Sequence, residues 1–178
     1  YQPDGIWEMS TSGRGVLANY VQDHGDKLYR RGMYNFIKRT VPPPVMLMFD
    51  ASNRDQCEVK RISTNTPLQA LIMMNDPMVL EASRVLAERL MLEELTPEDK
   101  IKKAFRLIMC RKAADEELKL LTGFFEEERN YYKGDAEKAR QRLEAGEYKH
   151  EEISDVATTA ALMQVISTLY NTDEAITK

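Results

Sequence analysis

The alternation of apolar and polar positions changes character at Thr66. Beyond it, apolar residues recur three and four apart, and run after run opens with a capping residue followed by proline. Thr66, Pro67 and Gln69 have the spacing of a capping box, in which hydroxyl and amide side chains satisfy N–H groups left without partners at a helix start. The helix it opens is short, because Asn75-Asp76-Pro77 interrupts it and caps the next. In that next helix Met78, Val79, Ala82, Val85, Leu86, Arg89 and Leu90 share one face, which is expected to be buried. Thr96-Pro97-Glu98-Asp99 repeats the device, with acidic residues favoured by the helix dipole, and predicts a helix to about Cys110. Asp115 to Tyr132 carries Leu118, Leu121, Phe124, Phe125 and Tyr132 as an inner face, with Glu126, Glu127 and Glu128 outside. Asp135 to Ala145 is charged apart from Ala136, Ala139 and Leu143, hence exposed. Glu151 to Tyr170 is apolar nearly all round, which predicts a central, buried helix.

Upstream the pattern is weaker. In "DKLYRRGMYNFIKRT" the residues Leu28, Met33, Phe36 and Ile37 recur at roughly helical spacing, weakened by Gly32 and ended by Pro42-Pro43-Pro44. Residues 1–26 read as an irregular arm with aromatic anchors at Tyr1, Trp7 and Tyr20, and "VMLMFDASNRDQCEVKR" reads as a long ordered loop. No strict alternation of β-branched residues supports a sheet. The expected fold is all-α, an irregular bundle of about six helices, in a single domain of 178 residues with an arm over 1–26 and a helical body over 27–178. "DAEKARQRLEAGEY" has the flavour of a tetratricopeptide helix, but no fixed period repeats it.

Composition narrows the partners. The formal charge of -4, with 25 basic and 29 acidic residues interleaved, makes nucleic acid an unexpected partner. No apolar run approaches the roughly 20 residues that span a bilayer. The basic cluster Lys27, Arg30, Arg31, Lys38 and Arg39 could meet a phosphate or sulfate, and a solvated helix face accounts for it as well. The chain opens on Tyr1-Gln2-Pro3 and reads as a piece of a longer protein. Cys57 and Cys110 lie far apart without a CxxC or CxxCH pattern, so no zinc or haem attachment site is expected, and no cofactor is expected in this chain. Both thiols are expected to be buried and reduced, or joined in a disulfide.

The run "YRRGMYNFIKRTVPPPVMLMFDASNRDQCEVKRISTNTPLQALIMMNDP", with "YQPDGIWE" before it and "LMQVISTLYNTDEAIT" after, resembles the C-terminal domain of large planctomycete-type proteins, domain of unknown function 1553. The resemblance is nearly continuous from Tyr29 to Pro77. It departs from the family pattern at Ile37, where tryptophan is common, and at Tyr170, where leucine is usual. It implies an exported, extracytoplasmic protein, often with a c-type cytochrome domain and a further uncharacterised domain N-terminal to this one. It also implies a setting of polysaccharide breakdown, and no reaction.

Candidate chemistry gathers between residues 50 and 76. Asp50, Arg54, Arg61, Asn65, Asn75 and Asp76, with Cys57 among them, could form a binding site. Guanidinium groups pair bidentately with carboxylates, and a thiol near arginines is acidified. The same inventory suits a structural network, in which arginines tie an irregular loop to helix ends. Asp76 already has work as an N-cap. Cys57 lacks a sequence-supported base, since the histidines are His24, in a surface turn, and His150, near a helix cap. Carboxylates at Asp50, Asp55 and Asp76 lie in one region, yet sequence sets no separation between them. Trp7 with Tyr1 is either a sugar-stacking platform or the anchor of the arm. The ten methionines read as core filler. Three functions compete. The first is a structural or ligand-binding module, associated with polysaccharide handling, that docks on N-terminal domains of its parent protein. The others are the catalytic domain of a glycan-directed hydrolase and a docking partner of a cytochrome c domain in electron transfer.

Overall fold

The computed structural model describes residues 5–11, 18–52, 57, 59–60 and 63–177. Among these the chain is all-α: α1 (Ile6–Thr11), α2 (Pro44–Met48), α3 (Pro67–Asn75), α4 (Pro77–Met91), α5 (Pro97–Met109), α6 (Asp115–Gly134), α7 (Ala136–Leu143), α8 (Val156–Tyr170) and α9 (Asp173–Ile176). Six of them have seven residues or more, as the patterning predicts. The chain divides into two compact units, residues 1–72 and 73–178, with the division inside α3.

In the first unit the helical tract expected over 26–40 is replaced by two 3-10 turns, Gly25–Tyr29 and Gly32–Tyr34, and a bridge between Lys38 and Val41. Arg30 and Arg31 between the turns are extended. An amphipathic face forms a helix only if something covers it, and here Met33 is 70% exposed, with Tyr34 and Phe36 also open. The basic residues there therefore do not share a helix face. Lys38 lies over the Trp7 ring at 4.9 Å and Lys27 pairs with Asp23 at 3.5 Å. The irregular arm holds a helix, α1, whose Glu8 accepts a hydrogen bond from the Tyr20 backbone N–H at 2.8 Å. The start of the predicted loop is also helical, because Pro44 supplies the first turn of α2 with a preset φ.

The second unit is built on α8. Its residues from Thr158 to Met163 are all buried, and α4, α5, α6 and α7 pack around it. Phe105, Met109, Phe125, Tyr132, Ala139 and Leu90 close the core from those helices. α8 begins at Val156 rather than near Glu151, because the Asp155 carboxylate accepts from Thr158 N at 3.0 Å and fixes the start there. Thr96 and Asp135 cap α5 and α7 in the same way. At the far end of α5, Arg111 stacks over Phe105 and forks onto two carboxylates, Glu117 of α6 and Glu174 of α9. That guanidinium holds the Glu117 carboxyl down to about 2.

Helix α4 contradicts its sequence pattern. Of the predicted face only Leu90 is fully buried: Met78, Ala82 and Arg89 are exposed, and Val79, Val85 and Leu86 are half-buried with Leu86 at the edge of the core, while Glu81, Ser83, Arg84, Ala87 and Glu88 turn inward. Polar groups in segment 145–151 explain this. Arg84 is fully buried, pairs with Glu88 at 2.7 Å, and donates to the carbonyl oxygens of Ala145 (2.9 Å) and Tyr148 (2.7 Å). Its remaining contact is His150 Nδ1 at 3.2 Å. Glu81 accepts from Glu147 N (2.5 Å) and Tyr148 N (3.2 Å), and Glu88 accepts from Glu151 N (3.4 Å). An irregular segment with buried backbone groups needs such partners, and charged side chains on one helix face provide them. Gly146 adopts φ +82, and a Cβ there would collide with the Glu81 carboxylate, so only glycine fits both demands.

Replacing Arg84 with methionine keeps the bulk but leaves Glu88 without its cation and two carbonyls without donors. Equilibrium urea unfolding should show a loss of about 3–5 kcal/mol, the cost of breaking one side of a buried ion pair. Removing Lys102, paired with Glu98 at the surface, should leave the urea midpoint unchanged within error, because solvent screens such a pair.

Candidate functional site

The residues singled out between 50 and 76 fall in both units, and each unit carries its own arrangement. In the first, Asp50 directly follows the C-cap of α2 and adopts φ +57, a conformation that aspartate and asparagine tolerate better than most residues. Its Oδ2 accepts from Thr64 N at 2.7 Å, and the Thr64 hydroxyl lies 2.8 and 3.0 Å from its two oxygens. Behind this pair sits Gln69, 1% exposed. Gln69 Nε2 donates to Met48 O at 2.7 Å and to Thr64 Oγ1 at 3.1 Å, while Oε1 accepts from Thr66 N at 2.8 Å. With Gln69 N donating to Thr66 Oγ1 at 3.3 Å, the capping box at the start of α3 is complete.

Gln69 therefore does two jobs. It caps α3, and its side-chain amide ties that helix to Met48 at the end of α2 and to Thr64. Asp50 and Thr64 close the segment between them at its two ends. The carboxylate directs its oxygens at a backbone amide and a hydroxyl, the arrangement of a loop clamp.

The other candidates separate into different roles. Arg54 and Arg61 lie outside the described residues, as does Asp55. Asn65 is exposed just before the Thr66 cap, and Asn75 is the exposed last residue of α3. Asp76 is the N-cap of α4, accepting from Met78 N at 2.8 Å. Cys57 and Cys110 are both exposed and outside any disulfide, which corrects the expectation of buried or bonded thiols. Cys110 sits where helices commonly end, in the left-handed conformation (φ +59) with its N–H donating to Arg106 O. His24 precedes the first 3-10 turn and His150 lies against Arg84. Trp7 is packed on several sides: Tyr20 at 5.4 Å, Phe36 edge-on at 5.6 Å and Lys38 over its ring. That is the anchor reading of Trp7, while Tyr1 lies outside the described residues. Among the described residues, no group of three or more His, Cys, Asp or Glu side chains could hold a metal ion.

Sequence reasoning missed the arrangement in the second unit. The outward face of α4 and the end of α5 line an open hollow of about 420 Å³, formed by Ala82, Val85, Leu86, Arg89, Leu107, Ile108 and Tyr170. Leu107 is 55% exposed on its edge. Burial raises the Tyr170 hydroxyl above the usual tyrosine range, in keeping with its apolar surroundings. The signal in the sequence is the apolar spacing of Ala82, Val85 and Leu86, which by itself also fits a core stripe. No described helix is long and apolar enough to cross a membrane.

Asp50 gives the first unit a direct test. Asp50→Ala should cost about 1–3 kcal/mol, since it removes hydrogen bonds to a charged acceptor and puts alanine at positive φ. Amide hydrogen exchange should then accelerate at Thr64 and at the start of α3. Asp50→Gly should cost less than Asp50→Ala, because glycine relieves the backbone and leaves only the hydrogen bonds lost.

A search of curated proteins finds no match for this chain, and neither does a search of solved structures. One family model does match, over residues 2–125, from before α1 to the middle of α6. The matched span contains the Asp50 clamp and the four proline-started helices, α2 to α5. The chain thus belongs to the PSD1 family, proteins of unknown function (DUF1553).

Proposed function

We propose that this chain is a docking module of a larger, extracytoplasmic protein, and that it receives an amphipathic helix from another domain of that protein in the hollow beside α4. The observation that carries this reading is the reversed rotation of α4. Its apolar residues line an open groove with Leu107, Ile108 and Tyr170. A contiguous apolar patch in a concave setting is a feature of interaction surfaces, whereas scattered exposed leucines are not.

Charge selects the occupant. Arg89 lies in the groove lining, exposed, and makes no ion pair among the described residues. A helix with apolar residues three and four apart and a carboxylate beside them would fill the hollow and pair with Arg89. Guanidinium groups favour such partly desolvated, bidentate pairings. The glycan-directed readings have less behind them. Asp50 serves as a clamp, and Trp7 is already packed between Tyr20, Phe36 and Lys38.

Photocrosslinking in the intact parent protein tests this. A benzophenone amino acid at Leu107 should cross-link, several-fold above the same group at Leu120 on α6, to an acidic amphipathic segment outside this chain. Arg89→Glu should suppress that product. Equal yields at Leu107 and Leu120, or products confined to this chain, would overturn the reading.

A further inference from the structure

Lys100, in the first turn of α5, is a buried cation without a buried anion. It is 8% exposed, and its ammonium donates to Met91 O at 3.2 Å and approaches Met91 Sδ at 3.9 Å. No carboxylate among the described residues makes an ion pair with it. The contrast with Arg84 in the same unit is direct, since that guanidinium meets Glu88 at 2.7 Å. An ammonium has three N–H donors; the carbonyl takes one, and the thioether is a weak, distant acceptor for a second. Burying a charge without an opposite charge is costly, and a neutral carbonyl offsets only part of that cost.

Beside Lys100 lies a partly enclosed hollow of about 100 Å³. Its walls include Met91, Leu95, Phe125 and Leu162, with Thr158 as the other polar side chain. The Thr158 hydroxyl donates to Asp155 Oδ2 at 2.6 Å, so it faces the hollow as an acceptor at most. Asp155 in turn holds Thr158 N and the start of α8. The hollow therefore offers one cationic donor at its edge and apolar walls elsewhere.

We propose that this hollow binds a short-chain aliphatic carboxylate, with the carboxylate on Lys100 Nζ and the alkyl end against Phe125, Leu95 and Leu162. Size sets the chain length. An apolar cavity of about 150 Å³ holds a benzene ring, so this smaller space suits about two to four carbons. The charge on Lys100 selects the anion over a neutral molecule of the same shape. The site is separate from the groove beside α4 and does not depend on the docking reading.

The test is a ¹⁵N–¹H titration of the full chain with sodium propionate at constant ionic strength, beside propionamide as the uncharged analogue. Saturable shifts should appear at the amides of residues 98–101, Phe125 and Thr158. The affinity for propionamide should be at least about tenfold weaker, and the propionate response should vanish in Lys100→Met. The comparison of acid with amide needs no variant, so it stands even if Lys100→Met fails to fold. Linear, unsaturating shifts, an equal response to the amide, or an unchanged response in folded Lys100→Met would each overturn the proposal.

Discussion

The second unit depends on one side chain with no water around it. Arg84 is fully buried, and its guanidinium joins a helix, an irregular segment and a carboxylate: Glu88 from its own helix, Ala145 O and Tyr148 O from the segment that leads toward α8. Glu81 and Glu88 add the reverse bonds, their carboxylates accepting from the backbone N–H groups of Glu147, Tyr148 and Glu151. A buried ion pair is weak evidence for stability, because desolvating both charges offsets much of their attraction. What it supplies here is orientation. A hydrophobic face can rotate by a fraction of a turn and still be buried, whereas a fork of N–H groups aimed at fixed carbonyls cannot. α4 is therefore locked with its charged face inward, and its apolar face is left to line the groove.

This is also where sequence and structure part. Local chemistry was legible: Thr66 with Gln69, Asp76 and Thr96 mark helix starts, because a cap needs only its own neighbours, and each does so here. α8 was legible because a helix apolar all round has one destination. The rotation of α4 was not. Ala82, Val85 and Leu86 read as a core stripe, and nothing within α4 announces that residues 145–151, far along the chain, present amides and carbonyls that need charged partners. The tract over 26–40 failed for a related reason, since spacing alone cannot show that Met33, Tyr34 and Phe36 stay uncovered.

The Asp50 region shows how candidate chemistry resolves into architecture. Asp50 stands out in the sequence for its carboxylate and loop setting, and in the structure its oxygens meet Thr64. Gln69, recognised only as a cap, proves to be the buried polar link between α2 and α3. Polar residues at loop ends serve reaction and architecture with the same functional groups. Geometry separates the two roles, because a clamp aims its acceptors at backbone amides and a reactive carboxylate does not. The groove and the Lys100 hollow stand apart from both, as places where apolar surface or charge lacks an internal partner.

The rotation of α4 is the point on which these roles turn, and adjacent residues report it. In a chain whose exposed thiols are removed by Cys57→Ser and Cys110→Ser, single cysteines at Ala82 and Ser83 can be labelled with a thiol reagent under native conditions. The charged face turned inward predicts fast labelling at 82, near the rate of an unfolded peptide, and labelling at 83 only as the chain unfolds. A protected cysteine at 82 with a reactive one at 83 would contradict it.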